Sequence, residues 1–351
     1  MAAGNRQSRI KALCFIKRLS RHLGTVLTAV VLSACQPHPE TMLSDYQARL
    51  QRVVAVPLEP DASQLSKTAV TPLPDIRTLS LAIPAATIDL TDMLALDICD
   101  LETLIAERNN SLGKVQTDAS VLQYELKLLL KLGNCLKSPA LVNQLAPELQ
   151  TTLQQIYLQK QQQLPAVFAN LLSRDQTLRQ QLGGSQRGIA ADQSGLAESL
   201  QALKQLNLLR QHIEKQDYLA ASHSQINNAL GALYQSQLIA DLQHSLRLSE
   251  QFFATLNALL VQVPQKDLCQ ADSSVRENLL SQIFIGRVQA DLARVDGIAT
   301  ELIAELLQLY QQHPLQPAIQ QRLQIPQQQL QQQLREHVAF WQRWRQCDAP
   351  H

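Results

Sequence analysis

The cysteines are the residues best suited to covalent chemistry, and Cys35 has the most informative surroundings. It ends the string LSAC, residues 32–35, in which small residues precede the thiol. A basic segment and a short apolar run, residues 23–32, come before that string, which is the layout of a secretory signal. The sequence therefore predicts a signal peptide over residues 1–34 and a lipid on Cys35. The alternative is an ordinary signal peptide followed by an unmodified cysteine.

The apolar run is too short to remain as a membrane-spanning helix. At about 1.5 Å per residue, its ten or so residues reach roughly half of a 30 Å hydrocarbon core. Several acyl chains on one cysteine, by contrast, anchor a protein stably. Gln36 rather than Asp follows Cys35, which predicts the periplasmic face of the outer membrane, with the inner membrane as the alternative.

Four further cysteines, Cys99, Cys135, Cys269 and Cys347, belong to the predicted exported part. An oxidising compartment favours two disulfides among them. Three pairings are possible, and proximity in sequence favours Cys99 with Cys135 and Cys269 with Cys347. Free thiols are the alternative.

The first of these pairings predicts a helical hairpin. If Cys99 bonds Cys135, the two helices are level at those positions and the apex lies midway, at Thr117. Thr117 is a good residue for capping the second helix. The string ERNNSLGKV, residues 107–115, then forms the last turns of the first helix despite its asparagines and Gly113.

Arg108, Asn109 and Glu125 are the candidate polar site of this hairpin. The apolar stripe of each helix has a gap, at Arg108 and Asn109 in one helix and at Glu125 in the other. The two gaps lie at almost equal numbers of residues from the apex and should therefore face each other. We predict a partly buried ion pair between Arg108 and Glu125 with Asn109 in the same network. A structural role is the first interpretation of this network, and a recognition or catalytic site is the alternative.

Three other motifs lack the partners that their chemistry requires. The string GGSQRG, residues 183–188, has the glycines of a phosphate loop without its Lys and Ser/Thr. Ser111 and Lys114 match S-x-x-K, but no complete SDN or KTG element follows. Asp241 and His244 have helical spacing for two metal ligands, and a metal needs more. The sequence therefore predicts no nucleotide, cofactor or metal.

The elements that position these residues are predicted to be helices. Leu, Gln and Ala dominate, and from residue 90 onward apolar residues recur at helical spacing, with no strand alternation. The pattern predicts a short helix over 43–54 and helices over 90–115, 118–136, 139–181, 189–215, 218–262, 273–312 and 326–346. We expect an all-α, elongated antiparallel bundle over 90–351, preceded by a Pro-rich tether and wrapping segment over 35–89.

The charge of the exported part argues against nucleic-acid binding. The formal net charge is +1, but the six basic residues of the signal segment come without any acid. Without them, 25 basic residues face 30 acidic ones, which gives about −5. A nucleic-acid partner requires a basic face.

Several of these motifs resemble a family of Gram-negative lipoproteins that carries domain of unknown function 3080. The similar elements are the string LSAC, the segment YQARL (residues 46–50), the helix from Cys99 into ERNNSLGKV, and the string LQYE (residues 122–125). The second half of the chain is similar in layout and in its two cysteines. The resemblance implies the envelope location and the helical fold, and it implies no activity.

Two functions follow as hypotheses. The first is a non-enzymatic, lipid-anchored envelope protein that binds another envelope protein or a cell-wall component through its helices. The alternative is a hydrolase acting on peptidoglycan or lipid, with Glu125 and Arg108 in its site. Binding of a small hydrophobic ligand between helices is a third, more distant hypothesis.

Overall fold

The computed structural model describes residues 39–54, 72–86, 95–109 and 116–348. The signal peptide over 1–34, the lipidation site Cys35 and the S-x-x-K motif at Ser111 and Lys114 lie outside these ranges. Most of the string ERNNSLGKV lies outside them as well.

Within the described ranges the chain is helical and contains no strand, which confirms the predicted all-α class. No helix in this part of the chain combines the length and apolarity needed to traverse a bilayer. The α-helices are α1 (Pro39–Val54), α2 (Ile76–Leu79), α3 (Glu102–Asn109), α4 (Asp118–Leu136), α5 (Pro139–Val142), α6 (Pro147–Arg174), α7 (Gln176–Gly183), α8 (Leu196–Glu214), α9 (Tyr218–Ser222), α10 (Ile226–Ser236), α11 (Leu238–Leu260), α12 (Gln265–Leu268), α13 (Ser273–Asn278), α14 (Ala290–Leu309), α15 (Gln316–Ile319) and α16 (Ile325–Arg345). Two segments have π-helical hydrogen bonding, Leu279–Gln289 and Gln320–Gln324, and two are 3-10 turns, Leu96–Cys99 and Gln346–Asp348.

Local capping decides several helix boundaries, and one of them agrees with the predicted span. Helix α4 has the predicted span, and Thr117 caps it by accepting a hydrogen bond from the Ser120 N–H at 3.2 Å. Pro147 starts α6, where a missing N–H costs nothing. Asp175 ends α6 and caps α7 through the Leu178 N–H at 3.0 Å, so the predicted helix over 139–181 is divided into three.

The predicted helix over 90–115 is also interrupted. Asp100 has a φ of 55°, a left-handed conformation that ends the turn Leu96–Cys99 before α3 begins. The Lys131 ammonium of α4 donates to the Asp100 carbonyl oxygen at 2.9 Å and also pairs with its carboxylate. This tertiary contact stabilises a break that helical periodicity does not reveal.

Other long predicted helices are shortened or divided at positions with positive φ. The helix predicted over 189–215 begins at Leu196, after Gly195 with a φ of 84°. A side chain at Gly195 would meet the Ser236 Cβ at 2.6 Å, so the position needs glycine for space as well as conformation. Gln237, with a φ of 48°, separates α10 from α11 within the helix predicted over 218–262.

The apolar side chains form two clusters that share α4 and α6. The larger cluster contains side chains of α1, α4 and α6 and of most helices from α7 onward. The smaller cluster joins the segment 96–104 to Leu128, Leu132 and the first turns of α6. The Cys99–Cys135 disulfide lies in the smaller cluster, with Cα atoms 5.3 Å apart. A second disulfide joins Cys269 to Cys347 at 5.2 Å, so both bridges follow the pairing favoured by proximity.

A buried hydrogen-bond network joins α1 to α16 at the centre of the larger cluster. The Tyr46 hydroxyl lies 2.5 Å from Nε2 of His337, and the Trp341 indole N–H lies 3.2 Å from both atoms. On the other side of the ring, Nδ1 of His337 donates to Oδ1 of Asn257 at 2.9 Å. Burial lowers the pKa of His337 to about 3 and raises that of Tyr46, so both side chains are neutral. Tyr46 of the segment YQARL thus fixes the first described helix to the last.

Candidate functional site

A cavity of about 810 Å3 lies among α3, α4, α6 and the segment 81–86. Its volume is in the range of small-molecule binding pockets. The apolar part of its lining includes Ile105, Val121, Leu128, Leu132, Leu153 and Ile156. The cavity therefore lies where the two apolar clusters meet.

The segment 81–86 is held against α6 by side-chain amides. The Asn170 side chain accepts a hydrogen bond from the Leu81 N–H at 2.7 Å and donates one to the Leu81 carbonyl at 2.8 Å. Gln163 donates to the Pro84 carbonyl at 3.2 Å. Because these bonds satisfy backbone groups that no helix or sheet would satisfy, the segment forms a defined wall.

A buried ion pair forms the polar centre of the cavity. The Lys160 Nζ of α6 lies 2.7 Å from Oε1 of Glu125 on α4. The residues are 8% and 6% exposed, so neither charge is solvated by bulk water. Oε2 of Glu125 is buried and has no hydrogen-bond partner among the described residues. A buried charged oxygen without a donor is costly, and the cavity beside it is where a donor would have to lie.

The predicted ion pair between Arg108 and Glu125 is therefore wrong, because Glu125 pairs with Lys160. The Arg108 guanidinium instead lies over the ring of Tyr124, 5.8 Å from its centre. Arg108, Asn109 and Glu125 all line the same cavity, although Asn109 is exposed. The prediction treated the hairpin as two helices alone, whereas α6 packs on α4 and supplies the nearer cation.

Sequence reasoning missed Lys160, although the sequence carries a signal for it. Leu153, Ile156 and Leu164 lie on one face of α6, and Lys160 completes their stripe, with successive steps of three, four and four residues. A lysine on an apolar stripe requires an acidic partner on the helix that packs against it. Glu125 breaks the apolar stripe of α4 in the same way. Once α4 and α6 are known to be neighbours, the lysine and the glutamate are therefore expected to pair.

The local electrostatics are those of a partly desolvated site. Burial raises the pKa of Tyr124 to about 12, the Glu125 charge adds to this effect, and the Arg108 charge opposes it. Burial also raises the pKa of Asp118, while Arg174, at 3.4 Å, opposes that change.

The two carboxylates of the cavity lie at separate levels of α4. Asp118 and Glu125 are seven residues apart, which is about 10.5 Å of rise between their backbone positions. Asp118 pairs with Arg174, and Glu125 pairs with Lys160. The arrangement is better suited to binding, since apolar walls surround a few fixed polar groups.

Asp241 and His244, considered above as a pair of metal ligands, contact different groups. Asp241 accepts a hydrogen bond from the Ser185 hydroxyl at 2.6 Å, which orders the connection GGSQRG between α7 and α8. The buried His244 faces Oε1 of Glu40 on α1 at 3.3 Å. In the part of the chain that the structure describes, no group of three or more His, Cys, Asp or Glu side chains could hold a metal ion.

Comparison with known proteins gives one family. The family model described as "Protein of unknown function (DUF3080)" matches residues 43–350, which include all the residues of the cavity. No curated protein and no solved structure matches the chain.

Proposed function

The chain belongs to this DUF3080 family of proteins of unknown function, and we propose that it is a lipid-anchored, non-enzymatic binding protein of the bacterial cell envelope. Its binding site is the cavity between α4 and α6. The observation that carries the proposal is a cavity of about 810 Å3 whose apolar walls surround a buried ion pair with an open hydrogen-bonding position. We infer that the ligand is an envelope component, because the sequence predicts a lipid anchor in that compartment.

The sequence before the helical body supports the envelope location. A basic segment, a short apolar run and the string LSAC precede Cys35. Three residues separate Cys35 from α1, and Tyr46 fixes α1 into the core through His337. A lipid on Cys35 would therefore lie three residues before α1 along the chain.

The ion pair supports binding over hydrolysis. A general acid or base must exchange a proton with the substrate, whereas the Glu125 charge is balanced by Lys160 at 2.7 Å. Asp118, the other carboxylate of the cavity, lies two turns away on α4. Replacing Lys160 would leave the Glu125 carboxylate buried without a counter-charge, which is costly. The pair therefore also stabilises the fold around the cavity.

Binding is tested with 1-N-phenylnaphthylamine, an apolar dye whose fluorescence rises in an apolar site. We expect saturable binding to the purified protein and its loss in Val121→Trp, because the indole would fill part of the cavity. Val261→Trp is the matched control, since Val261 is 72% exposed and lies on another helix end. Absence of saturable binding, or equal binding by both variants, would contradict the proposed site.

The anchor is tested separately by mass spectrometry of protein extracted from membranes. We expect a mature chain that begins at Cys35 and carries acyl groups, and we expect Cys35→Ser to leave the membrane fraction. An unmodified Cys35 in a membrane-bound product would contradict lipid anchoring.

A further inference from the structure

The buried ion pair of the cavity has open hydrogen-bonding positions of two kinds. Oε2 of Glu125 lacks a donor, and in the described part of the chain the Lys160 ammonium makes its hydrogen bond to Oε1 of Glu125. An ammonium has three N–H donors, so Lys160 retains donors that need an acceptor. A hydroxyl group meets both needs with one atom, because it donates one hydrogen bond and accepts two. A ligand ammonium could also donate to Oε2, but it would place a second cation beside Lys160.

A second oxygen of the cavity lining also lacks a donor. Oε1 of Gln116 is buried and has no hydrogen-bond partner among the described residues. Gln116 lines the cavity just before α4 begins, whereas Glu125 lies two turns inside that helix. Both open oxygens are acceptors, so a ligand that satisfies them must bring more than one donor. A head group with two or more hydroxyls has this property.

The charged side chains of the lining already have partners. Asp118 pairs with Arg174 at 3.4 Å. Glu125 pairs with Lys160 at 2.7 Å, and Arg108 is engaged in interactions of its own. An ion bound beside the buried pair would therefore lose its hydration without gaining a counter-charge, which is costly. The lining favours an uncharged head group.

The order of side chains along α4 specifies where the rest of the ligand lies. Leu128 and Leu132 follow Glu125 by about one and two turns, and Leu153 and Ile156 of α6 line the same cavity. These four side chains belong to the smaller apolar cluster, so a hydrocarbon chain lying among them would extend that core. The head group then lies toward the start of α4.

We propose that the cavity binds an uncharged amphiphile whose head group carries two or more hydroxyls, the chemistry that glycerol monoesters and alkyl glycosides share. One hydroxyl bridges Oε2 of Glu125 and Nζ of Lys160, and another donates to Oε1 of Gln116. The hydrocarbon chain follows Leu128 and Leu132. This ligand class rests on the proposed binding function. It adds the prediction that the hydroxyl groups of the head group decide affinity.

The test compares 1-monododecanoylglycerol with propyl dodecanoate as competitors for bound 1-N-phenylnaphthylamine, at concentrations at which neither ester aggregates. The two esters share their acyl chain and differ by the hydroxyls. Hydrogen bonds to charged groups are strong enough that we expect about tenfold or more tighter binding of the glycerol ester, although the propyl ester is more apolar. Equal competition by the two esters, while the dye still binds, would overturn the ligand class. Failure of the dye itself to bind would refute the proposed function, and the ligand class with it.

Dodecyl β-glucoside and two charged probes define the head group. The glucoside should also compete more strongly than propyl dodecanoate, and its rank against the glycerol ester identifies whether a sugar or glycerol carries the hydroxyls. Dodecanoate and dodecylammonium each carry one charge on a chain of the same length, and both should compete more weakly than the hydroxylated probes. Tighter binding of either ion would overturn the uncharged head group.

The double variant Glu125→Leu/Lys160→Met assigns the hydroxyl preference to the ion pair. It removes both charges together and should lose most of the preference for the glycerol ester. Gln116→Leu should lose a smaller part, because the amide oxygen is a neutral acceptor. Asp291→Asn/Arg294→Met, which removes a pair at 2.6 Å outside the cavity, should keep the preference. An undiminished preference in both cavity variants would overturn the assigned hydroxyl positions, and the comparison in the unmodified protein needs no variant to fold.

Discussion

His337 makes the stability of the fold depend on pH in a way that can be calculated. Its ring is fully buried and its partners, Tyr46, Asn257 and Trp341, are neutral, so burial lowers its pKa from 6.5 to about 3. The unfolded chain binds a proton at this histidine below about pH 6.5, whereas the folded protein does so only near pH 3. Stability is therefore lost as the pH falls through this window, by at most about 1.4 kcal/mol per pH unit. Between about pH 5.5 and 4.0, the expected contribution is roughly 2 kcal/mol.

Urea unfolding of the protein and of His337→Gln at these two pH values measures this contribution. Gln does not titrate, so the variant lacks this contribution. Between these two pH values, its free energy of unfolding should fall by roughly 2 kcal/mol less than that of the unmodified protein, whatever the absolute stability of the variant. His223→Gln is the matched control, because His223 is exposed and its loss should leave the pH dependence unchanged. An identical pH dependence of His337→Gln and the unmodified protein would refute the buried neutral histidine.

Three further changes test other parts of the structure by denaturant unfolding. Lys160→Met should cost about 3 to 5 kcal/mol because it leaves Glu125 buried without a counter-charge, and Glu125→Leu/Lys160→Met should recover most of this loss; an unchanged midpoint for the single variant would contradict the pair. Thr117→Ala should cost about 1 kcal/mol by removing the cap of α4, and no measurable loss would contradict the cap. Cys99→Ser/Cys135→Ser should cost about 4 kcal/mol, since the bridge closes a loop over a separation of 36 residues; equal stability would exclude a contribution from the bridge.

Local signals in the sequence were sufficient for the all-α class and for the best-defined helix boundaries. Thr117 marks a helix start through its bond to the Ser120 N–H, and this predicted start is found in the structure. Asp100 and Gln237, by contrast, adopt left-handed conformations within regular apolar spacing. Such breaks depend on tertiary contacts, as the interaction of Lys131 with Asp100 shows.

The candidate site could be predicted only in part, because its residues interrupt apolar stripes within single helices whereas its ion pair depends on how two helices pack. Arg108, Asn109 and Glu125 were identified as interruptions of apolar stripes, and all three line the cavity. The partner of Glu125 was assigned incorrectly because the packing of α6 on α4 cannot be read from either helix alone. Lys160 interrupts its own stripe in the same manner, so searching every predicted helix for buried charges would have supplied it.

The central claim is that the cavity between α4 and α6 is the binding site, and photolabelling tests it most directly. The probe is an uncharged dodecyl chain with a diazirine at its end, irradiated with the purified protein and mapped by peptide mass spectrometry. We predict labelling at Leu128 to Leu132 and at Leu153 to Ile156, and its loss in Val121→Trp. Labelling spread over exposed helices, or unchanged in Val121→Trp, would contradict the claim.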